Sequence, residues 1–210
     1  MQALVVVLLG DSVTEVSACA FHRRFADTYT LTVSGTGGAR ADQRERDAAV
    51  LALERPDRVI INLGTNDVFQ GTPPARTILA LTRIATAFRC ARRIHLVTVT
   101  EGVFADGSPV LRARSVALNQ RIATLAAAHG WGVIPWHDIV RRYRDAGEPL
   151  GSVTSDTIHP SPLGQWLLAD TYARALAPCT RADPVPRSAT RAAQTAKGPC
   201  CTEKVGDSVR

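Results

Sequence analysis

Five short apolar runs punctuate the first two-thirds of the chain, and longer segments with helical periodicity separate them. The runs are Ala3–Leu9, Tyr29–Val33, Arg58–Leu63, Ile94–Val99 and Trp131–Pro135. Between them, 41–54 carries Ala48, Val50, Leu51 and Leu53, and 73–90 carries Ile78, Leu79, Leu81, Ile84 and Phe88. The segment 111–129 is rich in alanine and leucine and stops at Gly130, a helix-ending signal; 163–176 reads as the last helix. Strands that are apolar along their whole length, alternating with helices, imply a parallel sheet buried on both faces. Ligands of such sheets sit at the carboxyl ends of the strands.

Four polar motifs lie beside these elements. Gly10-Asp11-Ser12 follows the first run, and Gly35-Thr36-Gly37-Gly38 the second. Gly64-Thr65-Asn66-Asp67 follows the third, and Asp156-Thr157-Ile158-His159-Pro160 precedes the final helix. Any one of them reads most simply as a turn or a helix cap. Together, in this order, they contain the parts of an acyl-transfer site. A serine needs a base to become a nucleophile, and histidine suits that work near neutral pH. The histidine needs a carboxylate to fix its tautomer. Negative charge developing on a carbonyl oxygen needs preorganised donors. A glycine lets a backbone N–H approach that oxygen closely, and an asparagine amide supplies a neutral donor.

The order GDS, glycine loop, GTND and DxxHP resembles the SGNH (GDSL-type) hydrolase superfamily, over roughly residues 3–177. The resemblance implies a flavodoxin-like three-layer α/β/α sandwich around a five-stranded parallel sheet. It implies Ser12 as nucleophile, His159 as base and Asp156 as the carboxylate that orients it. It implies an oxyanion hole made by the Ser12 N–H, a loop glycine and Asn66. Gly35, Gly37 and Gly38 all sit in the loop; the G-x-x-G pattern of the family favours Gly38 over Gly35. The implied activity is that of a serine esterase on a small-molecule or glycan ester, with no cofactor and no metal. The same groups serve O-acyl transfer to a sugar or other alcohol. A catalytically silent binding domain is a third reading, against which the complete set of motif residues stands.

Composition narrows the alternatives. The net charge of +6 is concentrated in part at the end: 180–210 holds six Lys+Arg and three Asp+Glu, including both lysines, Lys197 and Lys204. The remaining arginines are scattered, as in Arg23-Arg24, Arg92-Arg93 and Arg141-Arg142. No nucleic-acid partner is therefore expected. No run approaches the roughly 18 apolar residues of a membrane span. The first apolar run lacks a basic n-region and a cleavage site, so it reads as a strand, and a cytoplasmic location is expected. The five cysteines, Cys19, Cys90, Cys179, Cys200 and Cys201, include no CxxC pair. Cys19 and Cys90 fall in helical patterns and are expected to be buried thiols. Residues 1–178 are expected to form one hydrolase domain. Residues 179–210, with three prolines, no aromatic residue and few large apolar side chains, are expected to be a disordered basic tail.

Among other candidates, Asp11 and Asp67 are expected to hold loops through backbone hydrogen bonds. His137 and Asp138 are expected not to face each other on a helix. His95 is expected to be structural, Trp136 and Trp166 to be core or rim, and Glu101 to be solvated.

Overall fold

A computed structural model describes residues 3–100, 108–149 and 151–177. The expected tail and Glu101 lie outside these residues. Five parallel strands form one sheet in the order β2-β1-β3-β4-β5. The strands are β1 (Leu4–Asp11), β2 (Tyr29–Thr36), β3 (Arg58–Asn62), β4 (Arg93–Val97) and β5 (Gly132–Ile134). The helices are α1 (Ser12–Val16), α2 (Ala18–Phe25), α3 (Glu45–Leu51), α4 (Thr65–Phe69), α5 (Pro74–Ala87), α6 (Pro109–His129), α7 (Trp136–Asp145) and α8 (Pro162–Leu176).

The alternation of side chains along the strands explains the three layers. Val7 and Leu9 of β1, with Val59 and Ile61 of β3, point to one face and meet α3, α5 and α6 through Ala48, Leu81, Ile84, Leu118 and Ile122. Val6 and Leu8, with Ile60 of β3, point to the other and meet α2, α7 and α8 through Phe21, Val140, Leu168 and Tyr172. Phe21 and Tyr172 stack at 4.9 Å, which fixes α2 against α8. Residues buried from both sides must be apolar throughout, and for that reason β1 and β3 were legible as unbroken runs.

Three features depart from the sequence reading. First, β2 does not end at Val33; it runs through Ser34-Gly35-Thr36, pairing Leu9 with Ser34, Gly10 with Gly35 and Asp11 with Thr36. A partner strand of fixed register carries a loop-like sequence into the sheet. Second, α7 was not expected as an element of this length; only His137 and Asp138 were placed on a helix, although Trp136, Ile139, Val140 and Tyr143 follow helical spacing and all pack into the second core. Third, Cys90 is exposed and Cys19 is half-buried, because residue 90 falls after the end of α5 and escapes its buried stripe. Among the described residues no helix is long and apolar enough to cross a membrane.

The crossover from β2 to β3 carries the chain from one side of β1 to the other. That reversal opens a crevice at the carboxyl ends of β1 and β3, where an open α/β sheet places its ligands. Ser12 is the first residue after β1, and Asn66 lies in the helix after β3.

Candidate active site

Asp11 ends β1 and caps α1, its Oδ1 accepting from the Val13 N–H at 3.0 Å. This sharp strand-to-helix turn leaves Ser12 half-buried at the lip of the crevice. The turn needs a small residue before it, because a Cβ on Gly10 would press on the Thr14 side chain and, at 2.8 Å, on the Asn62 carbonyl.

His159 reaches Ser12 from the far end of the sequence. The segment 152–161 folds back on itself: Thr154 bridges Pro160, the Ser155 N–H donates to the His159 carbonyl at 2.8 Å, and the Ser161 N–H donates to the Val153 carbonyl at 2.9 Å. Ser161 closes the segment by capping α8 and donating to the Ser152 carbonyl at 2.6 Å. At the tip, Thr157 has a φ of 78°, a costly conformation for a β-branched residue and of a kind that gathers at functional sites.

The three side chains form a continuous relay. The Ser12 hydroxyl lies 2.9 Å from His159 Nε2, and His159 Nδ1 lies 2.6 Å from Asp156 Oδ2. The ring N–H therefore donates to the carboxylate, leaving Nε2 to accept from serine. The other oxygen, Oδ1 of Asp156, accepts from the backbone N–H groups of His159 at 2.7 Å and Ile158 at 3.2 Å. Burial acts to raise the Asp156 carboxyl, but the ring and backbone N–H groups of His159 and the Ile158 N–H outweigh it and hold the group below the ordinary range. Asp156 is thus ionised at neutral pH.

Opposite this relay lies the loop after β2. Gly35 is a strand residue whose Cβ would stand 2.6 Å from Glu15 Cα, so its role is to let α1 approach the sheet. Gly38 sits in the loop itself with a φ of 72° and no atom within 4 Å of an added Cβ. The expectation that both belong to the loop is therefore corrected for Gly35. Alanine at Gly35 is expected to cost about 1–3 kcal/mol or more of stability through overpacking, whereas alanine at Gly38 should cost about 1–2 kcal/mol through backbone strain alone. Urea unfolding of the two variants checks this order.

Helix α4 clamps the loop. Asn66 Nδ2 donates to the Ala39 carbonyl at 3.1 Å, Gln70 Nε2 to the Gly38 carbonyl at 3.1 Å, and the Ala41 N–H to Asp67 Oδ2 at 2.9 Å. Asp67 Oδ1 also accepts from Thr77 at 2.9 Å, and Arg40 donates to Gln70 at 2.8 Å. Beneath the loop the buried Arg44 bonds to Thr36 and to both oxygens of Ser34. Sequence reasoning missed Arg40, Arg44, Gln70 and Thr77. Gln70 alone left a signal, since it stands four residues after Asn66 and so on the same helical face.

Asp11 and Asp67 hold loops as expected. Burial drives the Asp11 carboxyl up to about 7, against the lowering effects of the Val13 N–H, the charge of His159 and the Thr65 hydroxyl. Between roughly pH 4 and 7 the unfolded chain releases this proton while the folded chain keeps it, so stability falls as pH rises through that window. Asp67 is also raised by burial and acts in the same direction; His95, lowered by burial to about 4, acts oppositely. Asp11→Asn keeps an acceptor for Val13 but cannot titrate. Its stability should therefore decline less than wild type between pH 5 and pH 7 in urea unfolding; an identical decline would reject the assignment.

His137 and Asp138 do touch, contrary to expectation: His137 Nε2 is 2.9 Å from Asp138 Oδ1, and His137 Nδ1 is 2.7 Å from the Thr98 hydroxyl. They open the first turn of α7, where the ring, held by Thr98, bends back toward its neighbour. His95 lies in β4, and Trp136 is buried in the core, as expected; Trp166 is half-buried. No group of three or more potential metal ligands occurs among the described residues.

Residues 8–167 match the family model of the GDSL-like lipase/acylhydrolase family. The chain belongs to this family, and with it to the hydrolases that act on esters. Its fold is shared with solved structures of low sequence identity. One is an acetyl xylan esterase, AlAXEase, 20% identical with a TM-score of 0.73, the match covering 83% of this chain and 100% of that one. Another is a member of the lipolytic protein G-D-S-L family from Veillonella parvula DSM 2008, 18% identical with a TM-score of 0.71, covering 83% and 98%. A third is the lipase/acylhydrolase from Enterococcus faecalis, 22% identical with a TM-score of 0.67, covering 82% and 94%. No curated protein matches the sequence.

Proposed function

We propose that the chain is a serine esterase that works through an acyl-enzyme on Ser12. The observation that carries this reading is the unbroken relay from Ser12 Oγ through His159 to Asp156. His159 Nε2 takes the hydroxyl proton as Oγ attacks the ester carbonyl, and Asp156 stabilises the resulting imidazolium. The carbonyl oxygen gains negative charge and is met by the Ser12 N–H, the Gly38 N–H and the Asn66 amide. Asn66 spends one of its two amide hydrogens on Ala39, which aims the group and leaves the other for substrate. Collapse of the tetrahedral intermediate breaks the ester C–O bond, and His159 returns the proton to the departing alcohol. Water, activated by the same histidine, then releases the acid and restores Ser12.

Short acyl esters of carbohydrate alcohols are the proposed substrate class. Its support is that one structural neighbour is described as an acetyl xylan esterase and another as an acetyl-xylooligosaccharide esterase. A fluorophosphonate probe should label Ser12, and turnover should fall along a chain-length series of nitrophenyl esters beyond acetate and butyrate. Failure to label would favour a silent binding domain. Faster acyl loss to an added sugar than to water would make the chain an acyltransferase.

A further inference from the structure

Arg44 closes a short 3-10 turn, Ala41–Arg44, directly before α3, and is buried at 6% exposure. Its Nη1 donates to the Thr36 hydroxyl, and its Nη2 donates to the Ser34 hydroxyl at 2.7 Å and the Ser34 carbonyl at 3.1 Å. Nη1 also meets Asp47 Oδ2, in the first turn of α3, at 2.7 Å. We propose that Arg44 is a positioning residue of the hydrolytic site, holding the end of β2 so that the Gly38 N–H faces the ester oxygen. The inference rests on the esterase reading, in which that N–H meets the oxyanion.

The chain between these anchors explains the need. The Ala39 N–H donates to the Thr36 carbonyl at 3.3 Å, closing a four-residue turn from Thr36 to Ala39. Within it Gly38 has a φ of 72° and Gly37 does not have a positive φ, the pattern of a type II turn. The central peptide of this turn carries the Gly38 N–H. Two successive glycines give the turn little stiffness of its own, so its place is set by what holds its ends. Gln70 holds the Gly38 carbonyl from one side, and Arg44 holds Thr36 from beneath. Thr36 in turn pairs with Asp11, the residue before Ser12. One guanidinium therefore ties the donor turn to the strand end that carries the nucleophile.

Stability alone is a poor account of Arg44. Removing a guanidinium from water is costly, and a well-packed apolar side chain often serves a fold as well. Here Nε is buried without a hydrogen-bond partner among the described residues. What arginine adds is geometry: its rigid fork bonds Ser34 and Thr36 in one plane, which a lysine ammonium does not reproduce.

The test is steady-state hydrolysis of nitrophenyl acetate by the full chain, well below its melting temperature. Arg44→Ala and Arg44→Lys should each lower kcat by about 10–100-fold with little change in KM, less than outright loss of an oxyanion donor. Arg44→Lys keeps a charge beside Asp47 and should melt close to wild type, yet its kcat should still fall. Thr36→Val, at an exposed position, removes the acceptor and covers the case of an Arg44 variant that does not fold. Its kcat should fall in the same sense, and combining it with Arg44→Lys should cost little more, since both cut one link. Leu176→Ala supplies the control. It lies in the second core beside Tyr29, at the other end of β2, and should lower the melting temperature with kcat unchanged. Wild-type kcat in folded Arg44→Ala, Arg44→Lys or Thr36→Val would overturn the proposal, as would an equal loss of kcat in Leu176→Ala. Failure of a fluorophosphonate probe to label Ser12 in the wild-type chain is a distinct result: it rejects the esterase reading and this inference with it. Labelling of the wild type with unaltered kcat in the arginine variants rejects the role of Arg44 alone.

Discussion

Ser12→Ala is expected to lower kcat on nitrophenyl acetate by on the order of 10⁶-fold and to leave the fold intact. The magnitude follows from the proposed route: without Oγ no acyl-enzyme forms, and what remains is binding and oxyanion stabilisation. Nearby hydroxyls do not substitute. Thr14, two residues along, is buried at 1% exposure beneath Gly10. His159→Ala should be about as damaging, since the relay acts as a unit and Ser12 is then left without a base. Asp156→Asn should cost less than either. Half of the Asp156 side chain is exposed, and Asn can still accept from the backbone N–H groups, although it no longer selects the productive tautomer as strongly. Melting temperature should barely move in the serine variant, because the lost hydrogen bond lies at a partly solvated site. Wild-type turnover by purified Ser12→Ala would remove the nucleophile from the scheme.

What the sequence could disclose followed burial and covalent order. Val6 to Leu9 and Val59 to Ile61 are enclosed on two faces, so physics admitted only apolar residues and the strands stood out. The relay residues were legible for a different reason. Ser12, Asp156 and His159 belong to short motifs whose chemistry needs those side chain types, even with serine and histidine 147 positions apart. The loop clamp was hidden because its logic is tertiary. Gln70 and Arg40 have no unusual neighbours in sequence, and only the fold brings them to the carbonyl of Gly38 and to each other. Likewise Gly35 looked like its loop neighbours until pairing with Gly10 and the approach of Glu15 placed it in the sheet. Helix α7 was obscured by length: ten residues give little more than two periods of an amphipathic pattern, and Arg141, Arg142 and Arg144 dominate its composition.

Asn66→Ala is expected to lower kcat by roughly 10²–10³-fold with little change in KM, because its amide meets charge that exists only in the transition state. Two roles are superposed at this residue, and they separate experimentally. As a clamp, Asn66 holds the Ala39 carbonyl at 3.1 Å, a bond worth about 0.5–1.5 kcal/mol of stability. As the proposed donor, it would offer its second N–H to the oxyanion. Gln70→Ala supplies the comparison, since Gln70 holds the adjacent Gly38 carbonyl at the same distance and sits exposed on the next turn of the chain after α4. Both variants should lose a similar increment of stability in urea unfolding, but only Asn66→Ala should lose the full two to three orders in kcat. A fluorophosphonate probe should still label Ser12 in both, more slowly in Asn66→Ala, because the relay of Ser12, His159 and Asp156 makes no hydrogen bond to Asn66. Equal and small losses of kcat in the two variants would reduce Asn66 to a loop residue and leave the oxyanion to the backbone N–H groups of Ser12 and Gly38.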